Sequence, residues 1–449
     1  MYKAVCLIFV VALALLVPGL ALANQLDMFG FNARATGLAN EYTALAEGPE
    51  ATFYNPGALI ESKQIMAFVG YSYTLPALTL DRQSRDGADA SDTDEIKQAR
   101  MPGAAQFIST GVSGGLFNRV YLGLGMQVPI DGLRREKIFS PNRPYFVDFD
   151  TNIFGLTFLP AVAVQLAPNY GLGVAARITV DSLGSFTTDV PIASGDYQAQ
   201  TLSDSQFTGQ ASPIIGFYAK PFEFLRFGLT YFGQSYCYYH KTVSQKIDPS
   251  DPDSVVDIEY EAKYDFIPRR IAFGVAGVPD EHVTLTAGVD WVNWSAYEPP
   301  FAKTRIDFSQ MADAGLDYTR PAILDVDEAD FRDVFVPRFG IEVRPYKYLT
   351  LQAGYALDPS ASPDQQGTTT ILDSTMHVMS FGIAGNFGGP NGDLVKINFA
   401  LMDHYMTERW ASKSDSEMQE EDPTTNPAYP RFTARGHMLY SALTASFRF

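Results

Sequence analysis

Cysteine is nearly absent from this chain of 449 residues. Only two occur: Cys6 in an apolar stretch at the start of the chain, and Cys237 near its middle. A disulfide framework needs several cysteines, and a cysteine-based metal centre needs them clustered. The sequence therefore excludes both kinds of cross-link.

Long apolar runs are also scarce. The one such run, residues 4–17, follows Lys3 and ends in a Pro-Gly break and an Ala-Leu-Ala cleavage pattern. At about 14 residues it is shorter than the ~20 that a membrane-spanning helix needs. We expect a signal peptide over residues 1–23, cleaved after Ala23. A lipoprotein signal would carry its cysteine at the end of the run, unlike Cys6.

Positive charge is in deficit, with 33 Lys and Arg against 51 Asp and Glu, which gives a net charge of −18. So acidic a chain repels polynucleotides, and no basic patch offsets the repulsion. We therefore expect no nucleic-acid partner.

Catalytic and metal-binding motifs are missing too. The five histidines are scattered without a nucleophile motif such as Gly-x-Ser-x-Gly, and we expect them in loops or at strand ends. They are His240, His282, His377, His404 and His437. The acidic clusters in 86–95 and 417–422 invite a calcium interpretation, but they lack EF-hand spacing, so we favour solvated loops. The sequence predicts no enzyme, no metal and no cofactor.

What the chain does contain is alternation of apolar and other residues, beside 24 Tyr, 32 Phe and 36 Gly. In residues 283–291 the odd positions are apolar, whereas Thr284, Thr286 and Asp290 lie between them. The pattern recurs in 120–130, and again around 172–181 and 349–357. Such a period of two predicts strands with one apolar and one polar face.

The connections between these strands sort by length. We predict fourteen strands, at 63–75, 104–115, 120–130, 153–167, 171–185, 211–219, 225–240, 264–278, 283–295, 336–344, 349–357, 374–387, 393–405 and 436–449. Short turns alternate with long polar loops, which is typical of outer-membrane barrels. A sandwich or propeller also alternates but has no reason to sort its loops in this way. We predict an all-β fold, a 14-stranded antiparallel transmembrane β-barrel over residues 63–449, in the bacterial outer membrane.

The last strand supports this prediction. Its apolar residues share one parity, with Ser441 the only polar member, and the chain ends in Phe449. This pattern resembles the signal that the barrel-assembly machinery recognises. We expect that machinery and outer-membrane lipid as partners of a monomeric barrel, since closure removes the unpaired edges that lipid penalises.

Residues 24–62 do not alternate. Fourteen strands enclose a lumen wide enough to need a filling, so we expect this segment to fold inside it as a hatch. The sequence GFNARATGLANEYTALAEGPEATFYNPGALI resembles the N-terminal hatch of the FadL/TodX family of fatty-acid and hydrocarbon transporters. AGVDWVNWSAY and PRFGIEVRPYKYLTLQAGYALDPSASP resemble further segments of that family. The chain departs from it by carrying Asn-Pro-Gly-Ala where Asn-Pro-Ala is usual.

The resemblance implies hatch-gated uptake of a hydrophobic small molecule. It assigns the hatch turn to Asn55, Pro56 and Gly57. Phe29 and Phe31 are candidate substrate contacts, or else hatch packing.

Trp294 is a further candidate, because by parity with Asp290 it points inward, although an interfacial girdle position is equally open.

The family also implies sideways release through a break in the third strand. Gly123 and Gly125 put two glycines on the inward face of that strand and permit a kink, whose unpaired groups Asn55 can satisfy.

Two alternatives remain open. A general porin would lack a hatch and carry a charged constriction. A FadL-like barrel can also serve secretion, as PorV-type shuttle proteins do, and the sequence does not separate that role from transport.

Overall fold

The computed structural model describes residues 25–83, 104–130, 145–147, 156–189, 200–246, 255–299, 303–307, 322–323, 330–365, 371–388, 394–412 and 431–449. The predicted cleavage position and both acidic clusters lie outside these residues. Within them no helix is long and apolar enough to cross a membrane.

The described residues form twenty strands. In chain order they are β1 (Met66–Gln83), β2 (Ala105–Phe117), β3 (Val120–Pro129), β4 (Tyr145–Phe146), β5 (Leu156–Ala167), β6 (Tyr170–Asp189), β7 (Gln200–Phe222), β8 (Leu225–Phe232), β9 (Ser235–Lys246), β10 (Val255–Ile267), β11 (Arg270–Asp280), β12 (Val283–Val292), β13 (Lys303–Asp307), β14 (Ala322–Ile323), β15 (Val334–Tyr346), β16 (Leu349–Asp358), β17 (Ile371–Leu372), β18 (Met376–Phe387), β19 (Val395–Ser412) and β20 (Arg431–Arg448).

Fourteen of these strands close into one barrel, in the order β1-β2-β3-β5-β6-β7-β8-β11-β12-β15-β16-β18-β19-β20. β20 closes the ring by pairing antiparallel with β1, from Met66 opposite Arg448 to Gln83 opposite Arg431. Each barrel strand overlaps one of the fourteen predicted strands. The fold prediction is therefore confirmed.

Strand ends differ from prediction at two places. The predicted strand 225–240 leaves the barrel at Phe232, and the predicted strand 264–278 joins it only at Arg270. The residues between belong to β9 and β10, which pair with each other and build a separate sheet with β13 and β14. Apolar and polar residues alternate through both segments. Such alternation does not reveal which neighbouring strand a segment pairs with.

The long loops are also shorter than predicted at three places. β1 continues to Gln83, β6 and β7 pair as far as Asp189 opposite Gln200, and β19 pairs with β20 as far as Ser412 opposite Arg431. These extensions carry Thr, Ser, Asp, Gln and Arg among their apolar residues, so in the sequence they resemble polar loops.

The apolar face of the strands points outward. In β12 the side chains of Leu285 and Val289 are exposed, whereas Thr284, Thr286 and Asp290 are buried in the lumen. Exposed aromatic residues cluster at the short-turn end: Phe117, Phe222, Phe224, Tyr346, Tyr348, Phe387 and Phe449. An outward apolar band with an aromatic girdle is the surface that a bilayer requires.

Residues 25–62, the N-terminal segment, lie within the ring of strands. The segment contains the helices Gln25–Phe29, Ala33–Thr36 and Ala51–Tyr54, with 3-10 turns at Gly48–Glu50 and Pro56–Glu61. Helix Ala33–Thr36 contacts β18, β19 and β20, whereas Ala51–Tyr54 contacts β3, β5 and β6 on another side. The segment thus spans the lumen between separate parts of the wall.

Candidate functional site

Ion pairs join the N-terminal segment to the barrel wall, and the first of them centres on Asp27. Arg177 of β6 donates from Nη1 to Asp27 Oδ2 at 2.8 Å and from Nη2 to Oδ1 at 3.0 Å. Arg270 of β11 donates to Oδ1 at 3.2 Å. Burial alone would raise the pKa of Asp27, but the Arg177 and Arg270 guanidiniums hold it below its usual range. A charged Asp27 therefore ties the start of the segment to two strands.

The network continues along the wall. Arg270 Nη1 and Arg338 Nε each lie 3.1 Å from Asp290 Oδ2, so Asp290 bridges β11 and β15. Arg338 then donates from Nη1 to the carbonyl oxygen of Ala39 at 3.0 Å. A continuous chain of charges thus runs from one end of the segment to its middle.

Glu41 lies beside this network in a different state. Its Oε2 atom has no hydrogen-bond partner, and its Oε1 accepts from Thr286 Oγ1 at 3.3 Å. Burial, reinforced by the negative charge of Asp290, raises the pKa of Glu41 well above its usual value. A Cβ on Gly288 would lie 1.9 Å from Glu41 Oε2, so the strand accommodates the carboxyl only because this position is glycine. This environment favours the protonated form of Glu41 in the lumen.

A second ionic connection forms nearer the short-turn end. Arg34 donates from Nε and Nη2 to both carboxylate oxygens of Glu342 in β15, at 2.8 and 2.7 Å. Its Nη1 donates to Glu47 Oε1 at 2.6 Å. Such a two-pronged pair fixes both distance and orientation.

The predicted turn at Asn55, Pro56 and Gly57 contacts β6 and β7. The Asn55 side chain accepts from the Gly57 amide at 3.1 Å and donates to the carbonyl oxygens of Thr43 and Phe217, both at 3.0 Å. A Cβ on Gly57 would lie 2.6 Å from the carbonyl oxygen of Gly216. Our expectation that Asn55 satisfies groups of the third strand was wrong, because Phe217 belongs to β7.

Gly123 and Gly125 do face the lumen, as expected. The space that a Cβ on Gly125 would occupy is bounded by Thr52 Oγ1 at 2.7 Å and Phe31 Cζ at 2.8 Å. The expected break at these glycines is not present. β3 pairs with β5 without interruption from Val120 to Gln127, and its pairing with β2 is regular from Tyr121 onward, with one register shift at Val120.

An interruption occurs one strand further on. β5 pairs with β6 at Phe158 opposite Ile178 and again at Ala161 opposite Ala175, in one register, but not at the two residues between. One of them is Pro160, which has no amide hydrogen to donate to a neighbouring strand. We call this gap the β5–β6 seam.

Phe29 reaches an apolar lining of the lumen. Its ring stacks on Tyr440 at a centroid distance of 4.7 Å and meets His404 edge-on at 5.0 Å. The same cluster contains four buried inward-facing methionines on β18–β20: Met376, Met402, Met406 and Met438. We call this surface the methionine lining. His404 was expected in a loop or at a strand end, but it is buried in the middle of β19. The same expectation was wrong for His240 and His437, which lie inside β9 and β20.

The other two aromatic candidates are placed differently. Phe31 packs edge-on against Phe68 at 5.1 Å, within the contact between the segment and the wall. Trp294 lies in a short turn just beyond β12, with its ring 6.2 Å from that of Phe266 and 6.1 Å from that of Phe331. It belongs to an aromatic cluster at the long-loop end.

Sequence reasoning missed the charged network. Its wall residues stand on the polar face of alternating strands, and that inward parity was a usable signal for Arg177, Asp290, Arg338 and Glu342. Their partners in the N-terminal segment carry no such signal. Among the described residues no group of His, Cys, Asp and Glu has the spacing of a metal site.

A family model described as "Outer membrane protein transport protein (OMPP1/FadL/TodX)" matches residues 14–449. No curated protein sequence matches.

Solved structures share the fold. A FadL homologue of Pseudomonas aeruginosa superposes with a TM-score of 0.61 at 14% identity, over 96% of this chain and 100% of that one. The P. putida toluene transporter TodX gives 0.57 at 13%, over 94% and 99%. The Ralstonia pickettii toluene transporter TbuX gives 0.53 at 14%, over 94% and 99%. Since the family model covers nearly the whole chain, the protein belongs to the OMPP1/FadL/TodX family of outer-membrane transport proteins and is a transport barrel, not an enzyme.

Proposed function

We propose that this protein carries hydrophobic small molecules, either hydrocarbons or long-chain fatty acids, inward across the outer membrane. In this proposal residues 24–62 act as a hatch that blocks the lumen until cargo binds. Two of the superposed proteins are described as toluene transporters, which makes a monoaromatic hydrocarbon the first cargo to test.

The observation that carries the proposal is the contact of Phe29 with the methionine lining. Met402 and Met438 are almost fully buried beside Tyr440, on which Phe29 stacks. Methionine is unbranched and polarisable, so such a surface adapts to apolar molecules of different shape. An apolar ligand gains about 25 cal/mol for each Å² that it buries there. Cargo that displaces Phe29 acts directly on the hatch.

The ion pairs give the hatch its closed state. Asp27 and Arg34 hold the hatch to the wall at two heights in the lumen. Neither ion pair can separate until another group neutralises the charge that is left on the wall. Phe29 is two residues from Asp27, so displacement of Phe29 strains the ion pairs of Asp27 before the ion pair of Arg34. We propose that the hatch therefore opens from its outer half.

Sideways release suits an apolar cargo, because a direct path into periplasmic water would expose its surface again. The family resemblance implies release at the third strand, but Phe31 and Thr52 already occupy the space beside Gly125 on its inner face. We propose the β5–β6 seam as the exit. We further propose that the protein is a monomer assembled by the barrel-assembly machinery.

Toluene uptake tests the proposal. Cells or proteoliposomes that contain the protein should accumulate labelled toluene above the rate of protein-free controls. Met402→Gln keeps the side-chain length but adds an amide to the lining, so uptake should fall about tenfold, the effect of roughly 1.4 kcal/mol. Met379→Gln is the matched control, because Met379 is 48% exposed and faces outward.

Heat-modifiable gel mobility verifies that each variant is folded. If folded Met402→Gln takes up toluene at the wild-type rate, cargo does not cross the methionine lining. A large steady ion current through the wild-type protein would instead support a porin. If deletion of the gene impairs protein secretion but leaves toluene uptake unchanged, the result would support a shuttle.

A further inference from the structure

A cavity of about 320 Å³ lies at the short-turn end of the lumen, apart from the methionine lining. In outer-membrane barrels the short turns face the periplasm, so this is the periplasmic end. On one side it is bounded by the N-terminal segment, at Arg34, Glu47 and Glu50. On the other it is bounded by the periplasmic ends of β15, β16, β18, β19 and β20. It thus lies between the N-terminal segment and the periplasm, on a part of the wall separate from the β5–β6 seam.

The cavity has an excess of positive charge, although the chain as a whole carries −18. Four basic side chains line it from the wall: Arg344, Lys347, Lys396 and Arg448. In the described part of the chain none of the four forms an ion pair. Arg34, the fifth basic residue of the lining, is already paired with Glu47 and Glu342. The wall side therefore offers cations that have no direct ion-pair partner among the described residues, with Glu47 and Glu342 as the nearby carboxylates.

Two buried polar groups in the cavity wall also lack partners. Thr350 Oγ1 and Asn398 Oδ1 have no hydrogen bond, and their residues are only 0% and 2% exposed. Both line the cavity. Ala384 lies opposite Thr350 on one side and opposite Asn398 on the other, so the three form one row across β16, β18 and β19. The small alanine leaves the two polar groups facing a common space.

Buried polar groups without partners are rare in native proteins and indicate a partner that the protein alone does not provide. Thr350 can donate its hydroxyl hydrogen to an anion. The unpartnered atom of Asn398 is its acceptor oxygen, so Asn398 donates to an anion only through Nδ2, with the carboxamide turned towards the cavity. With Lys396 two residues from Asn398 on the same strand face, the row offers hydrogen-bond donors beside a cation. This combination suits an anion.

We propose that this cavity binds a carboxylate, held by Thr350, Asn398 and Lys396. Met66 and Phe447 line the same cavity and provide apolar surface for the carbon skeleton of the ligand. Inorganic phosphate has no apolar part and would leave that surface without a contact. The favoured ligand is therefore the anionic end of a hydrophobic acid.

The inference rests on the proposed uptake function and narrows it. A site for carboxylates on the periplasmic side gives acids a binding step that neutral hydrocarbons lack. Benzoate and toluene are a matched pair for this test, because they share the ring and differ in a carboxylate against a methyl group.

Isothermal titration of the purified barrel in detergent measures binding of benzoate, toluene and inorganic phosphate separately. Benzoate should bind to the wild type, and Lys396→Met and Thr350→Val should each weaken its binding about tenfold, since each removes a hydrogen bond to a charged group. Toluene binding should not change in either variant. Lys220→Met is the control, since Lys220 pairs with Glu223 in a turn outside the cavity.

Two variants keep the test independent of folding, because Thr350→Val preserves side-chain shape even if Lys396→Met does not assemble. Equal benzoate affinity in wild type and both folded variants would overturn the proposal, as would tight phosphate binding without benzoate binding. In uptake assays Lys396→Met should slow benzoate but not toluene. Toluene uptake with no benzoate binding would refute the site alone, whereas benzoate binding without any uptake would refute the transport function and leave the site.

Discussion

Asp27 and Arg177 form a two-pronged ion pair, although 150 positions separate them in the chain. Arg177 is 4% exposed and projects from the inner face of β6, so its charge has Asp27 as its only carboxylate partner among the described residues. The pair therefore fixes the start of the N-terminal segment to one particular strand. It also makes the position of the segment sensitive to a single charge.

Asp27→Asn should loosen the outer half of the N-terminal segment. The change leaves Arg177 without a counter-charge in a buried site, and breaking a buried pair in this way costs about 3 kcal/mol. Hydrogen exchange of residues 26–40 should accelerate, and proteoliposomes should show more frequent channel openings.

Asp81→Asn is the control for that change. Asp81 pairs with Arg435, which is 52% exposed and also pairs with Glu408, so its loss should cost less than about 1 kcal/mol. If Asp27→Asn exchanges no faster than Asp81→Asn, the ion pair does not hold the segment.

Gly57→Ala should displace the hatch turn from the wall. The added methyl group would lie 2.6 Å from the Gly216 carbonyl oxygen and 2.8 Å from that of Gly171, both of them backbone atoms that cannot turn aside. Overpacking of this kind costs about 1–3 kcal/mol. Limited proteolysis should cut the segment sooner in this variant.

Gly277→Ala is the matched control, because a Cβ there meets no atom within 4 Å. It should leave both proteolysis and heat-modifiable mobility unchanged. If the two variants resist protease equally, the turn tolerates the added methyl group and does not depend on the close approach of Gly57 to the wall.

The barrel was predictable from sequence because a bilayer imposes one strong rule on every strand. Outward residues must be apolar, as Leu285 and Val289 are, and that rule produces a pattern readable along the whole chain. It also fixed the inward face of β3, where Gly123 and Gly125 lie as expected. The family resemblance is likewise confirmed by the family model.

The contacts inside the lumen were not predictable in the same way. Asn55 was assigned to the third strand, but it bonds to Phe217 of β7, since a short segment inside a wide barrel can face any strand. Pairing partners such as Asp27 and Arg177 depend on that orientation. Alternation predicts which side chains face the lumen. It does not predict which residues of the N-terminal segment those side chains contact.

The N-terminal segment should lose stability as the pH rises from about 4.5 to about 7. Burial, more than any nearby charge, raises the pKa of Glu50 from 4.5 to about 7 in the folded protein. Between these values the unfolded segment has released a proton that the folded one retains, so unfolding is favoured as pH rises, by at most about 1.4 kcal/mol per pH unit. Below 4.5 both states are protonated and the full stability is present.

Glu50→Gln should flatten this dependence when opening of the segment is followed by hydrogen exchange from pH 5 to pH 8. Glu47 and Arg34 face Glu50 with opposite charges, and they remain in the variant. A slope of this sign that persists comes from other buried carboxyls, of which Glu41, whose pKa is also raised by burial, lies in the same segment. A slope identical to that of the wild type would show that Glu50 is ionised in the folded protein throughout this range.

The β5–β6 seam gives the release route a direct test. By register Pro160 lies opposite Ala176, at the place where pairing of the two strands is interrupted. In a Cys237→Ser background, cysteines at positions 160 and 176 can be oxidised to a disulfide that closes the seam. If cargo leaves sideways here, the oxidised protein should take up toluene at least about tenfold more slowly, the effect of roughly 1.4 kcal/mol, and a reductant should restore uptake.

Cysteines at positions 162 and 174 provide the matched control. Val162 and Val174 are an outward-facing pair of the same two strands, and their pairing is intact, so a disulfide there constrains nothing that is not already joined. Oxidation of this control should leave toluene uptake unchanged. If the 160–176 disulfide forms fully and the oxidised protein still takes up toluene at the wild-type rate, sideways release through the seam is wrong. Cargo must then pass down the lumen beside the hatch, where removal of the Arg34–Glu342 pair would be the decisive change.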